Sequence, residues 1–246
     1  MRHRGFEPAI AVAVLFFLWE LSAKVFRIEA LPSPGVAFRV FFRDLTGPLG
    51  WHLLVSTYRI SAGIILSICT AVPLGFVIGR NPSADRFIAP FIYLLYPVPK
   101  IVLLPVLIAL LGIGDATKIF LITLILFFQI LLPVRDGVRY VPPALIDSVV
   151  SLGANPRAIY RHVIWPAVLP EILTALRVAS GTAIAVLFFA ETISSQEGLG
   201  YYIFDALSSW AYPEMYAGII AMGLLGFSIY KVLDWLEGRL CGWKHI

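Results

Sequence analysis

The sequence predicts an all-α membrane protein with about six transmembrane helices. Three observations carry that expectation. Of 246 residues, 59% are hydrophobic and only 14% are charged, against about a quarter in a soluble domain. The mean hydropathy is +0.87. The apolar residues gather in six stretches, each near the roughly 20 residues a helix needs to cross the hydrocarbon core. Such a chain cannot cover itself with water-facing groups, which excludes a soluble enzyme. No stretch is large and polar enough to fold as a separate domain, so residues 1–246 read as one transmembrane domain.

The first span covers residues 8–25. Its basic start resembles a signal peptide, but Trp19, Glu20 and Lys24 follow where small residues would mark cleavage, so it reads as a retained span. Before the second span lies an amphipathic piece after Pro34, with Val36, Val40 and Phe41 on one side and Arg39 and Arg43 on the other. That pattern suits a short helix at the membrane interface. The second span covers residues 58–78 and the third residues 87–111, interrupted by "YPVPK". Between them "RNPSADR" is a tight turn with a helix start at Ser83. The fourth span covers residues 117–134, the fifth residues 172–189 and the sixth residues 216–236.

Lysine and arginine placement sets the orientation. Six spans put both termini on one side. That side carries Arg2, Arg4, Arg80, Arg86, Arg135, Arg139, Arg157, Arg161, Arg239 and Lys244. The other carries Lys24, Arg27, Arg39, Arg43 and Lys118, and its last loop has Glu197, Asp205 and Glu214 with no cation. Both termini are therefore expected in the cytoplasm. The net charge of +4 reads as topology and lipid-headgroup contact, so membrane lipid is an expected partner and nucleic acid is not. Cys69 and Cys241 have no neighbour at metal-ligand spacing, so neither metal nor disulfide is expected. His52 and His162 lack catalytic partners at useful spacing and read as surface residues.

Between the fourth and fifth spans, residues 136–170 form a polar island on the cytoplasmic side, centred on "DSVVSLGANPRAIYRHVIWPAVLP". Its pattern is two short helices and a bend. Prolines open the first, where Leu145, Val149 and Leu152 share a face. Gly153 ends it. Asn155 caps the second with Pro156 at its first position. Pro166 and Pro170 are expected to re-aim the chain into the fifth span. Two short helices held off the membrane suit the groove of a soluble partner, or the lipid surface itself.

This island resembles the cytoplasmic signature loop of bacterial binding-protein-dependent ABC importer permeases. There three residues separate a Glu-Ala-Ala triplet (the EAA loop) from a Gly, and nine more separate that Gly from Ile-x-Leu-Pro. Here Asp147-Ser148-Val149 stands for the triplet, Gly153 is in register, Val163 replaces Ile, and Trp165-Pro166 replaces Leu-Pro. "YPVPKIVLLPVLIALLGIGDATKIFL", "LILFFQILLPVRDGV" and "AETISSQEGLGYYI" resemble the nitrate/sulfonate/taurine-type branch. The resemblance implies a type I ABC importer permease fold (MetI-like) in a bacterial cytoplasmic (inner) membrane. It implies a homodimer of this chain, two cytoplasmic ATPase subunits holding ATP and Mg, and a solute-binding protein on the outer face. This chain would bind no cofactor and catalyse nothing itself. It has no Gly-x-x-x-x-Gly-Lys-Ser/Thr loop, and "GFVIGR" at residues 75–80 reads as a small-residue helix contact. The loop residues implied in coupling are Asp147, Gly153, Ala154, Asn155, Pro156, Arg157, Tyr160, Arg161 and Pro166.

Candidate pore residues are Arg59, Lys100, Gln129, Glu191 and Tyr201, because ionisable and polar groups inside spans are functional candidates. Arg59 reads as snorkelling or pore-facing. Lys100, just after Pro97 and Pro99, faces either an anion or a structural partner, the backbone carbonyls those prolines free or an acidic neighbour. Gln129 reads as an interhelical hydrogen bond rather than a ligand. Gly198 and Gly200 permit a sharp re-entrant bend beside Glu191, with Tyr201 and Tyr202 at the outer gate or the interface belt. The family's common cargo is a small anion, such as a sulfonate, taurine, nitrate or bicarbonate. Thiamine-precursor pyrimidines and aromatic acids are the alternative. A secondary transporter is the more distant reading, but no internal repeat supports it. An intramembrane enzyme would need a nucleophile and base at depth, and none is present.

Overall fold

The computed structural model describes residues 6–245; side chains are described for residues 10–243. Arg2, Arg4 and the side chain of Lys244 lie outside that range. Among the described residues every regular element is helical. The chain divides into two compact units, Met1–Ser56 with Glu191–Leu224, and Thr57–Ala190 with Leu225–Ile246.

In the first unit, helix α1 (Phe6–Phe26) covers the stretch expected as the first span; among the described residues four other helices, or five with one bent pair, are long and apolar enough to cross a membrane. The 21 residues of α1 reach about 31 Å at 1.5 Å per residue. Helix α2 (Pro34–Asp44) is the amphipathic piece. Its buried face is Pro34, Ala37, Val40 and Phe41. Val36, expected on that face, is exposed, because the helical period groups position 37, not 36, with 40 and 41. The Trp19 indole donates to the Pro32 carbonyl at 3.0 Å and stacks on Tyr216 with centroids 5.4 Å apart. Helix α10 (Leu199–Ser208) is the short helix after the glycine-rich bend.

Helix α3 (Pro48–Arg80), which belongs to the first unit up to Ser56 and to the second from Thr57, is 33 residues long and overshoots the expected second span at both ends. Its small residues Gly63, Ser67, Ala71, Gly75 and Gly79 recur every four positions and so form one stripe. The stripe lies on α6 (Asp115–Arg139). A Cβ at Gly75 would come within 2.7 Å of the Val134 side chain, and one at Gly79 within 2.6 Å of the Arg135 carbonyl. Close approach of backbones is what holds helices together where lipid removes the hydrophobic driving force. The expected helix contact at residues 75–80 is present.

The third span is broken as "YPVPK" suggested. Helix α4 (Pro82–Leu95), capped by the Asn81 side chain, meets Lys100–Leu111 at 80°. That second piece is a 3-10 turn followed by α5 (Leu104–Leu111). Asp85 fixes the start of α4 to the end of α6 by ion pairs to Arg135 (2.6 Å) and Arg139 (3.0 Å).

Helix α7 (Pro143–Ser151) and α8 (Pro156–Ile159) follow. Here the structure corrects one expectation. The second loop helix is not a short knob re-aimed by Pro166 and Pro170. It runs through a π turn (Tyr160–Ile164) into α9 (Trp165–Ser194), giving one 39-residue helical run, Pro156–Ser194. The wide turn closes with the Trp165 N–H bonded to the Tyr160 carbonyl, just before Pro166, whose missing N–H would otherwise interrupt the α ladder. Pro170 sits inside α9. Helix α11 (Tyr212–Leu240) forms the sixth span. Arg177 of α9 is paired with Glu237 and lies 3.6 Å from Asp234 of α11.

Candidate coupling loop and transport pocket

The bend between α7 and α8 is built as its residues dictate. Gly153 has φ +82°, a left-handed conformation that costs glycine little. The N–H groups of Gly153 and Ala154 donate to the carbonyls of Val150 (2.9 Å) and Val149 (3.1 Å). This paired reverse bonding ends a helix without orphaned carbonyls. The Asn155 side chain accepts from the Ala158 N–H at 2.9 Å and opens α8 with Pro156 in its first turn. Asp147, Gly153, Asn155 and Pro156 are exposed, Ala154 and Pro166 half-buried. Leu145, Val150 and Leu152 are also exposed, Leu152 at 87%. Arg157, Tyr160 and Arg161 lie on the side of α8 and the π turn that forms a groove with α3.

Of the five pore candidates, Arg59, Lys100 and Gln129 lie in the second unit and Glu191 and Tyr201 in the first. Arg59 is only 3% exposed and lies 2.6 Å from Asp115, so it ties α3 to the first turn of α6. Lys100 donates to the Tyr96 carbonyl at 2.6 Å and sits 4.5 Å from the centroid of the Phe128 ring. The ammonium thus fills the backbone position that the proline break leaves open. Gln129 donates to Thr182 Oγ1 at 3.3 Å across α6 and α9, while its Oε1 is buried with no partner among the described residues.

Glu191 and Tyr201 belong to the first unit. Glu191 is fully buried. Its carboxylate accepts from the Ser56 hydroxyl, 2.8 and 2.9 Å from the two oxygens, and from the Gly200 N–H at 2.9 Å. The Leu199 N–H donates to Ser56 Oγ at 2.7 Å and the Gly198 N–H to His52 Nδ1 at 3.0 Å. Three N–H groups at the start of α10 are therefore satisfied by side chains, as a helix beginning away from water requires. Gly198 has φ +106°, and a Cβ there would lie 2.3 Å from Glu191 Cδ. His52 is no free surface residue: its ring packs 5.7 and 5.5 Å from those of Tyr201 and Tyr202. Sequence reasoning missed His52 and Ser56, since neither belongs to a motif and their partners lie over 130 positions away. It also placed Lys118 among the loop cations, whereas that side chain is fully buried and donates to the Ile113 and Gly114 carbonyls.

On the same unit Arg43 binds Asp44 (2.6 Å) and Glu214 (3.0 Å), and Tyr202 donates to Asp44 at 3.2 Å. The Arg43 hydrogen bond holds the Asp44 carboxyl below its usual 3.8. Burial, with the Asp44 charge, pushes the Tyr202 phenol above its usual 10.0.

A cavity of about 470 Å³ opens between α6 and α9 in the second unit. Tyr96, Phe128, Gln129, Leu132, Thr174 and Val178 line its body, with Asp136 and Glu171 also in its wall. The Phe128 ring under Lys100 belongs to it. Mixed aromatic and polar walls of this size suit one small solute.

The family model described as "binding-protein-dependent transport system inner membrane component" matches residues 71–240. This chain belongs to that family. It is the permease component of an ABC importer for small solutes, and the family implies ATPase and binding-protein partners. The taurine transport system permease protein TauC of Escherichia coli (strain K12) is 32% identical over 241 residues, covering 94% of this chain and 87% of TauC. The formylaminopyrimidine transport permease protein ThiX of Halalkalibacterium halodurans is 27% identical over 245 residues, covering 98% and 97%. Among solved structures, a chain of the MetNI methionine ABC transporter in an inward-facing conformation shares the fold, with TM-score 0.64 over 78% of this permease and 96% of that chain at 17% identity. The type I importer fold implied by the motifs is the fold found.

Proposed function

We propose that two copies of this permease form the pore of an importer for a small organic or inorganic anion of the sulfonate, taurine, nitrate or bicarbonate kind. A solute-binding protein delivers the solute at the outer face, and two cytoplasmic ATPase subunits carry ATP and Mg. Both termini and residues 136–170 face the cytoplasm. The observation that carries the reading is the loop: α7, the Gly153–Asn155 turn and α8 stand exposed and lead without a break into the Pro156–Ser194 helix. A groove that seizes α7 and the turn therefore moves the fifth span itself, so ATP-driven motion needs no separate hinge at Pro166. Asp147 and the apolar Leu145, Val150 and Leu152 supply the docked face. The solute occupies the 470 Å³ cavity, with the Lys100 ammonium against the Phe128 ring of its wall.

The test is ATPase activity in liposomes with the cognate ATPase and binding protein and a panel of anions. Stimulation by one anion with the binding protein, lost in Gly153→Pro, is the expected result. Flux that follows an ion gradient with no ATPase bound would overturn it. The resemblance to ThiX and the aromatic wall of Tyr96 and Phe128 favour a second cargo, a pyrimidine-type heterocycle, which belongs in the same panel.

A further inference from the structure

The groove between α3 and the start of the coupling helix has no part in the scheme above. Its volume is about 610 Å³. Val72, Pro73 and Phe76 of α3 form one wall, and Trp165 closes the other, its ring 5.6 Å from that of Phe76. The walls are almost entirely apolar, so the two arginines that border the groove line it with their aliphatic stems, not their guanidinium groups. Arg157 and Arg161 stand four residues apart, on one helix face. Both are exposed, and neither side chain has a hydrogen bond or ion pair among the described residues. Arg80 continues the Pro73–Phe76 face one turn further towards the end of α3 and is likewise exposed. Tyr160 and Trp165 flank the groove, as aromatic residues do at the level of lipid headgroups.

An occupant must match an apolar slot bordered by two exposed arginines. The slot is cut into α3, a helix long and apolar enough to span the membrane, so its apolar wall lies in hydrocarbon where a soluble ATPase does not reach. We propose that the groove binds one anionic phospholipid, with an acyl chain against Val72, Pro73, Phe76 and Trp165 and its phosphate between Arg157 and Arg161. This rests on the orientation proposed above, which puts both arginines in the cytoplasmic leaflet, where anionic lipids attract clustered cations. The lipid would bridge α3 to the first turns of the coupling helix. It assigns the two arginines to lipid and leaves ATPase docking to α7 and the turn.

The test uses the full chain in phosphatidylcholine nanodiscs, titrated with dibrominated phosphatidylglycerol or dibrominated phosphatidylcholine. Quenching of Trp165 is read as the difference between wild type and Trp165→Phe. The expected result is quenching at a mole fraction on the order of tenfold lower for phosphatidylglycerol. The preference disappears in the Arg157→Gln/Arg161→Gln double variant and persists in the Arg157→Lys/Arg161→Lys variant. It also falls in wild type at about 0.5 M salt, where the screening length drops to a few ångströms, so the result does not depend on the variants folding. Equal quenching by the two lipids would mean annular contact only and would overturn the proposal. Quenching by neither would mean that a second copy of this chain fills the groove and would likewise overturn the proposal. Loss of the preference on adding inorganic phosphate would mean a free-anion site. The readout needs no ATPase or binding protein, so its failure and the failure of the coupling reading are separate results.

Discussion

At Gly198 one missing carbon decides whether the bend before α10 closes. Its φ of +106° and the 2.3 Å approach of a hypothetical Cβ to Glu191 exclude any side chain. Gly198→Ala is expected to lower stability by about 2–4 kcal/mol, read as a lower midpoint in detergent thermal unfolding. Glu191→Ala should act similarly, because it strands the Ser56 hydroxyl and the Gly200 N–H. Tyr202 adds a pH dependence. Its phenol titrates above the usual 10.0 in the folded unit, so the stability it contributes is full below pH 10 and fades as pH rises through the folded value. Tyr202→Phe should flatten that alkaline limb. Asp44 works in the opposite sense. Its carboxyl is held below 3.8, so its contribution is present above that pH and is lost as pH falls through the folded value.

Among the elements, the α3 stripe and the coupling helix make separate predictions. Gly75→Leu drives a side chain into Val134, already within 2.7 Å of a Cβ. It should cost about 1–3 kcal/mol or more and reduce the yield of folded protein on size-exclusion chromatography. In the coupling loop, Asn155→Ala removes the cap on Ala158 and should cost about 1 kcal/mol of local helix stability. That is too little to unfold the chain, so it should show as faster amide exchange in α8 and weaker ATPase co-purification. Because the helix runs unbroken from Pro156 to Ser194, softening it should uncouple transport without releasing the ATPase. Ala167→Gly, at an exposed position just past the π turn, is expected to lower solute moved per ATP while co-purification is unchanged.

For the whole molecule, the membrane topology is the first thing to measure. Neither native cysteine is in a disulfide, so single cysteines belong in a Cys69→Ser/Cys241→Ser background. A cysteine at Ser151 should react with an impermeant maleimide only in inside-out vesicles, and one at Glu197 only in right-side-out vesicles. The reverse pattern would overturn the proposed orientation and, with it, the placement of the loop against the ATPase.

Much of this protein was legible without coordinates. The six apolar stretches, the break at "YPVPK", the glycine stop at Gly153, the Asn155–Pro156 cap and the small-residue contact at residues 75–80 all depend on local chemistry. Span length, missing proline N–H groups and left-handed glycine are properties of a few adjacent residues. What the tertiary structure decided concerns partners distant in sequence. Arg59 was open between the interface and the pore until Asp115, 56 positions away, neutralised it. Lys100 was open between an anion and the backbone until the Tyr96 carbonyl and the Phe128 ring took it. Glu191, His52 and Ser56 carried no shared motif, yet together they satisfy the N–H groups that open α10. Even Pro166 was misread from sequence. Its missing N–H does interrupt the ladder, but a π turn absorbs the loss, because packing on either side keeps the helix continuous. A charge or an N–H in a membrane must find a partner; the sequence says that one is needed, and only the packed helices say which residue it is.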